Sequence, residues 1–211
     1  MDEYHKIETL FERDMDGTKK LIEGKFRNPS VEYLKNNEWC FTEKIDGTNI
    51  RIHWDGHRVM FGGRTDAAQL PTDLMYKLND LFLGITNEQL FEQKFGATNV
   101  TLYGEGYGAG IQKGGGAYRK DKGFILFDVL INDFWLERKN IEDIAKSFNL
   151  DIVPIVLNGT IQDAVNYVKS FPKSTVAVEE RESEGLVGRP SVEMKDRRGN
   201  RIIVKVKTCD F

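Results

Sequence analysis

The chain has 211 residues, of which 40% are hydrophobic and 30% charged, and a net charge of −3 at pH 7. This is the balance of an ordinary globular protein with room for one ample core, expected as a single domain over 1–211, and its negative sum excludes holding nucleic acid by bulk charge. No apolar run approaches the roughly 20 residues of a bilayer-spanning helix, the polar start Met1 to Lys6 carries no secretory pattern, and Cys40 and Cys209 give neither a disulfide framework nor a zinc spacing, so a reducing cytoplasm is the expected setting.

In chain order, Ile7 to Gly24 is expected to be partly helical. Trp39 to Ile45 reads as a strand leading into a turn at Asp46-Gly47. Ile50 to Trp54 and Arg58 to Phe61 alternate around Asp55-Gly56 and read as a hairpin. Thr72 is a candidate cap for a helix through Phe82, with Leu74, Leu78 and Leu81 on one face, and Thr86 for a second helix through Phe95. Val100 to Tyr103 is a short strand followed by a glycine-rich stretch, Gly104 to Gly116. Phe124 to Ile131 is a strongly apolar strand. Asn140 is a candidate cap for a helix through Phe148, Ile152 to Leu157 is a strand, and Thr160 caps a helix to Phe171. Val176 to Val178, Gly185 to Val187 and Ile202 to Val206 are late strands. The sum is an α+β arrangement, a mostly antiparallel β core flanked by helices.

Six segments carry chemistry. In Glu43-Lys44-Ile45-Asp46-Gly47-Thr48-Asn49, a lysine at a strand end before a tight turn is set toward a pocket, where loss of its proton makes it a nucleophile; the bland alternative is a hairpin turn with an incidental lysine. In Phe61-Gly62-Gly63-Arg64-Thr65, two glycines let a phosphate approach an arginine that grips oxyanions; the alternative is an exposed turn. Glu105, after Tyr103-Gly104, is a carboxylate at the end of an apolar strand and needs partners, such as a ribose hydroxyl or a hydrated metal ion. The glycines after it, up to Gly110-Ile111-Gln112-Lys113, form a nucleotide-covering loop or a mobile surface loop. In Phe124-Ile125-Leu126-Phe127-Asp128-Val129, alternation puts Phe127 opposite Phe124 and Asp128, where its ring can stack on a base. Glu184-Gly185-Leu186-Val187 is the fifth segment. In the sixth, Lys205 and Lys207 share one face of an apolar strand and need an anion, unless they simply protect an edge strand. Lys195, Arg197, Arg198 and Arg201 extend these two lysines into a basic cluster, or into a solvated face. Arg51 reads as a solvated strand arginine.

Together and in order, these segments resemble the covalent nucleotidyltransferase superfamily of ligases and mRNA capping enzymes. The chain is most similar there to the RNA ligase 2 family: the second RNA ligase of T-even phages and the editing ligases of kinetoplastids. The likeness runs from Trp39 to the C-terminus. It implies a nucleotidyltransferase core of ATP-grasp-like ligase type, without a C-terminal accessory or OB domain. It implies ATP and Mg²⁺ as cofactors and an AMP carried covalently on Lys44. Glu43 would read the adenine amino group and Ile45 would line the nucleotide, with Asn49 near the reacting phosphate. Arg64 would touch phosphate or ribose, Glu105 the ribose or metal, and Phe127 the adenine. Glu184 would hold hydrated Mg²⁺, and Lys205 and Lys207 would neutralise the α-phosphate. The implied partner is RNA with 5′-phosphate and 3′-hydroxyl ends, with a helper protein in place of the helical domain that the T-even enzyme carries after this point. The implied setting is the cytoplasm, that of an infected host for a phage-encoded chain. Asp46 stands where the T-even enzyme has histidine, and Gly63 where a lysine is expected beside Arg64. The competing readings are a minimal DNA ligase or capping-type nucleotidyltransferase, and a non-catalytic ligase-derived nucleotide- or RNA-binding module.

Overall fold

Aspartate, glycine and proline punctuate the strands of the computed structural model, which describes residues 2–211. The elements in chain order are β1 (Glu8–Thr9), β2 (Phe11–Arg13), β3 (Leu21–Phe26), α1 (Pro29–Tyr33), β4 (Trp39–Glu43), β5 (Thr48–Trp54), β6 (Val59–Gly62), α2 (Thr72–Phe82), α3 (Ile85–Phe95), β7 (Val100–Gly108), β8 (Lys122–Ile131), β9 (Phe134–Trp135), α4 (Arg138–Ser147), β10 (Asp151–Ile152), β11 (Ile155–Gly159), α5 (Ile161–Lys169), β12 (Gly185–Pro190) and β13 (Val204–Lys207). One sheet runs β1-β13-β12-β4-β11. A second runs β10-β8-β7-β5-β6, with β9 also on β8, and β2 and β3 form a ribbon. Among the described residues, only the pairs β1–β13 and β10–β8 are parallel. The expected α+β class with mostly antiparallel sheets therefore holds, and no sheet among the described residues closes into a barrel.

The chain divides into two units, each built around one of the larger sheets. The first holds residues 2–5, Asp46–Val153 and Ala177–Glu179. One face of its sheet is apolar by alternation: Ile50, Ile52 and Trp54 of β5, Leu102 of β7, and Phe124, Leu126 and Val129 of β8. These pack under Leu74, Leu78 and Phe82 of α2, Phe91 of α3 and Ile141 of α4. β7 runs on through Gly104 to Gly108 where a loop was expected. The glycines serve close packing, since a Cβ on Gly104 would lie 2.3 Å from the Phe124 ring and 2.6 Å from the Ile125 carbonyl oxygen. Tyr103 pairs with Asp128 and Gly104 with Leu126, so Phe127 is the extra residue of a β-bulge.

The second unit holds Lys6–Ile45, Pro154–Val176 and Glu180–Phe211. Trp39 and Phe41 of β4, Leu186 of β12 and Val204 and Val206 of β13 pack under Ile161, Val165 and Val168 of α5. Thr160 caps that helix reciprocally with Asp163, as its sequence predicts.

Several local expectations are corrected. The segment Ile7 to Gly24 is not helical. It forms β1, β2 and the start of β3, because Asp14 accepts hydrogen bonds from the amides of Gly17 and Thr18 at 2.9 Å and turns the chain back. Thr72, Thr86 and Asn140 are not caps. Those helices start after Pro71, Gly84 and Glu137, and none has a side-chain cap. The strand expected over Ile152 to Leu157 is two strands broken at Val153-Pro154, since β10 joins one sheet and β11 the other. Val176 to Val178 is not a strand.

Candidate active site

In the second unit, Val204 and Val206 point into the core, so Lys205 and Lys207 stand on the opposite face of β13, as their spacing predicts. Lys207 pairs with Gly185 at the start of β12, and the Lys44 amide donates to the Gly185 carbonyl at 2.9 Å. This brings the end of β4 beside the residue that precedes β12. There Glu184 accepts from Lys44 Nζ at 2.7 Å on Oε2 and from Lys207 Nζ at 2.6 Å on Oε1. Burial works against the Lys207 ammonium, but the hydrogen bond and the charge of Glu184 outweigh it and hold its pKa above the usual lysine range. One carboxylate thus bridges two cations that 140 and 23 residues of chain would otherwise separate from it. Removed from Glu184, the same two ammonium groups would hold another anion of similar charge, such as a phosphate.

Glu43 lies on the other side of β4, with Trp39 and Phe41, and is 2% exposed. Its carboxylate accepts from the Ser174 hydroxyl, from the Thr175 amide at 2.8 Å and from the Thr175 hydroxyl at 2.6 Å. Nothing in the sequence pattern singled out Ser174 or Thr175. Ile45 is buried at the end of this unit.

In the first unit, the sheet face without helices carries the remaining candidates. Asn49, Glu105 and Ile125 stand opposite one another across β5, β7 and β8. The Asn49 side-chain oxygen is buried and has no hydrogen-bond partner among the described residues. The Asp46-Gly47 turn is held by two side chains: the Asp46 amide donates to the Tyr118 hydroxyl at 3.2 Å, and the Gln112 amide donates to the Gly47 carbonyl at 2.9 Å. Only glycine fits at this turn, since a Cβ on Gly47 would sit 2.3 Å from the Gly106 carbonyl oxygen. Phe127 is partly exposed on the face opposite Phe124, as expected. The bulge, however, turns Asp128 to the same side as Phe127, where alternation had put it with Phe124. Tyr4 meets the Phe127 ring edge-on at 5.0 Å and donates its hydroxyl to Asp128 at 2.7 Å. Arg64 is exposed in the loop after β6, while Arg51, expected in solvent, is fully buried.

The basic cluster is not one patch. Arg201 is engaged by both carboxylate oxygens of Glu193, at 2.6 and 2.8 Å. Lys195 pairs with Arg201 in an isolated β-bridge, and Lys195, Arg197 and Arg198 are exposed around the turn that joins them. Among the described residues no group of three or more His, Cys, Asp or Glu side chains could hold a metal ion unaided. Mg²⁺ that arrives with a nucleotide needs only one or two carboxylates beside the phosphates. Glu184, a partly buried carboxylate between two lysines, fits that arrangement. No helix among the described residues is long and apolar enough to cross a membrane.

The model of one family, RNA ligase, matches residues 37–207. A search of curated proteins finds no match. Among solved structures, the chain is similar to an apo mutant of the Naegleria gruberi RNA ligase (TM-score 0.62, 18% identity, covering 86% of this chain and 52% of that one). It is similar to a mutant of the same ligase with ATP and manganese (0.62, 18%, 85% and 51%), and to one with AMP and manganese (0.63, 16%, 95% and 60%). The chain therefore spans between half and two thirds of the length of these proteins, and at such identities the likeness is one of fold.

Proposed function

The chain belongs to the RNA ligase family, and on that premise we propose that it is an ATP-dependent enzyme that joins RNA ends through a lysyl-AMP intermediate on Lys44. Lys44, an ammonium paired with Glu184 in the resting chain, gives one proton to solvent, and the amine so formed attacks the α-phosphorus of ATP, losing a second proton as the bond forms. A nitrogen–phosphorus bond forms, the bond to the bridging oxygen breaks, and pyrophosphate leaves. The adenylyl group then passes to an RNA 5′-phosphate, which frees Lys44, and an RNA 3′-hydroxyl displaces AMP to form the phosphodiester.

The observation that carries this reading is the carboxylate of Glu184 between Lys44 and Lys207. A nucleophilic lysine beside a second cation, with an anion already between them, is the charge arrangement that phosphoryl transfer needs, because such catalysis is mainly positioning and charge neutralisation. Lys205 and Lys207 neutralise the α-phosphate. Mg²⁺, when bound, supplies further neutralisation of the phosphates, and Glu184 is the residue that would hold it. Glu43 and Ile45 serve the nucleotide on this unit. The Glu43 carboxylate has about four acceptor sites, and Ser174 and Thr175 use three, so one remains for an adenine amino hydrogen. Phe127 stacks on the base, Glu105 takes a ribose hydroxyl or a hydrated metal ion, Asn49 lies near the reacting phosphate, and Arg64 grips phosphate or ribose. RNA with a 5′-phosphate and a 3′-hydroxyl is the substrate.

Incubation with α-labelled ATP and Mg²⁺, followed by a denaturing gel, tests the reading. Label on the wild-type chain, released by acid as a phosphoramidate requires, and none on Lys44→Ala is the expected result. Normal labelling of Lys44→Ala refutes the nucleophile. Labelling by GTP alone would make the chain a capping-type enzyme, and no labelling by any nucleotide would make it a binding module. Transfer from labelled chain to nicked DNA in preference to RNA would make it a DNA ligase.

A further inference from the structure

Arg51 sits in the middle of β5, between Gly62 of β6 and Tyr103 of β7, on the sheet face that carries Asn49 and Glu105. Its side chain is 0% exposed. A buried guanidinium is costly unless its charge is paired and its donors are used. Here Nε donates to the Gly63 carbonyl at 2.7 Å, and Nη2 donates to Asp66 Oδ1 at 2.8 Å, forming an ion pair. Asp66 itself is 72% exposed, so the buried cation is compensated from a surface loop. The two contact points lie on either side of Arg64: one on the residue before it, one two residues after. A turn bond from the Ala68 amide to the Thr65 carbonyl at 3.1 Å closes the same loop. A lysine in place of Arg51 has a point charge and cannot span both anchors, whereas the planar fork of arginine can.

We infer that Arg51 is a positioning residue: its buried guanidinium ties the 63–66 loop to the sheet on both sides of Arg64 and so fixes where the Arg64 side chain meets its phosphate or ribose. The inference rests on the contact proposed for Arg64.

The test uses the whole chain with Asp66→Asn, which removes the anchor from the exposed side and spares the core, and with Arg51→Lys, which keeps the charge but loses the fork. The first readout is independent of activity: trypsin cleavage after Arg64, located by mass spectrometry, against cleavage at the exposed Lys195. Both variants are expected to speed cleavage after Arg64 alone, as loss of a local tether does. The second readout is adenylylation from ATP. Each variant is expected to raise the KM for ATP by about tenfold, the loss from weakening one charged hydrogen bond, with kcat at saturating ATP retained as uniform binding requires. Asp66→Asn added to Arg64→Ala should raise KM no further, because it acts through Arg64. Unchanged cleavage, an unchanged KM in a variant whose parent responds to Arg64→Ala, wild-type behaviour of Arg51→Lys in both readouts, or an additive double variant would each overturn the inference. An Arg64→Ala chain that labels normally would instead refute the contact assigned to Arg64, and the inference would fall with it. A chain that Lys44→Ala does not disable would refute the proposed function as a whole.

Discussion

Glu184→Gln keeps the volume of the side chain and removes its charge. Lys44 at 2.7 Å and Lys207 at 2.6 Å then lose the anion between them and keep at most one weak amide acceptor. A hydrogen bond to a charged group contributes about 1.5–3 kcal/mol. The three side chains retain 24%, 31% and 16% of their exposure, so solvent screening pulls both bonds to the low end of that range, a loss of about 3 kcal/mol in all. A domain is stable by about 5–15 kcal/mol, so the variant folds. At about 2–4 °C per kcal/mol for a chain of this size, its Tm falls by roughly 6–12 °C. Loss of a group that organises charge around the α-phosphate lowers the adenylylation rate by about 10²–10³. Scanning calorimetry gives the Tm, and label incorporation from ATP in the same preparation gives the rate. A variant that melts like the wild type would show that the two ion pairs carry no stability. A folded variant that labels at the wild-type rate would remove Glu184 from the chemistry.

Phe127→Ala is expected to weaken ATP binding by about one to two decades, the worth of a base stack, while Phe124→Ala, whose ring meets Phe82 at 5.3 Å in the core, loses about 3–5 kcal/mol of stability. Equal ATP affinity in the two variants, by fluorescence or calorimetric titration, would refute the facing of this strand. Burial pushes the Tyr103 hydroxyl up to about 12, against about 10 in the unfolded chain. Because the fold holds this proton longer, stability is full below about pH 10 and falls by about 2–3 kcal/mol as pH rises toward 12. Tyr103→Phe loses the hydrogen bond to the Asp2 carbonyl and about 1 kcal/mol at pH 7, and this deficit should shrink or reverse near pH 11.5. A Tm difference that stays constant across that range would refute the assignment.

The elements that read correctly are those in which local periodicity and tertiary demand agree. The β5–β6 hairpin has Asp55-Gly56 at its turn, α5 has a reciprocal cap, and β13 alternates valine inward and lysine outward. Misreadings arise where a distant contact decides. The glycines of β7 look like a loop until the Phe124 ring is packed on them. The face of Asp128 depends on a bulge set by pairing with β7, which no window of sequence contains. No break in composition marks where the chain passes between its two units, because each unit is assembled from three separate stretches. Within the site, Lys44, Lys205 and Lys207 are legible because strand parity alone puts the last two on one face. Glu184 is singled out in the sequence as well, but its pairing with Lys44 and Lys207 is not legible, since it lies 140 residues from Lys44. Arg51 misled for a related reason. Alternation assigns it to the face without helices, and its contacts with Gly63 and Asp66 in the loop after β6 come from outside any strand pattern.

Under the proposed function, the same pairing would let a chain with a net charge of −3 handle a polyanion. Its cations at the candidate site do not stand as a positive field waiting for phosphate. Lys44 and Lys207 share Glu184, and Arg201 in the neighbouring basic segment is held by Glu193. An incoming phosphate would therefore exchange with a carboxylate and would not simply add to free charge. Such an exchange site keeps the two lysines from repelling each other in the resting chain, where the carboxylate lies between them. It also frees a carboxylate at the moment the phosphates arrive, and a freed carboxylate beside phosphate is what a hydrated Mg²⁺ requires. On this reading Glu184 holds the nucleophile in place before ATP binds and becomes the metal-holding group once it has bound, so one side chain serves two states that differ only in which anion the lysines hold.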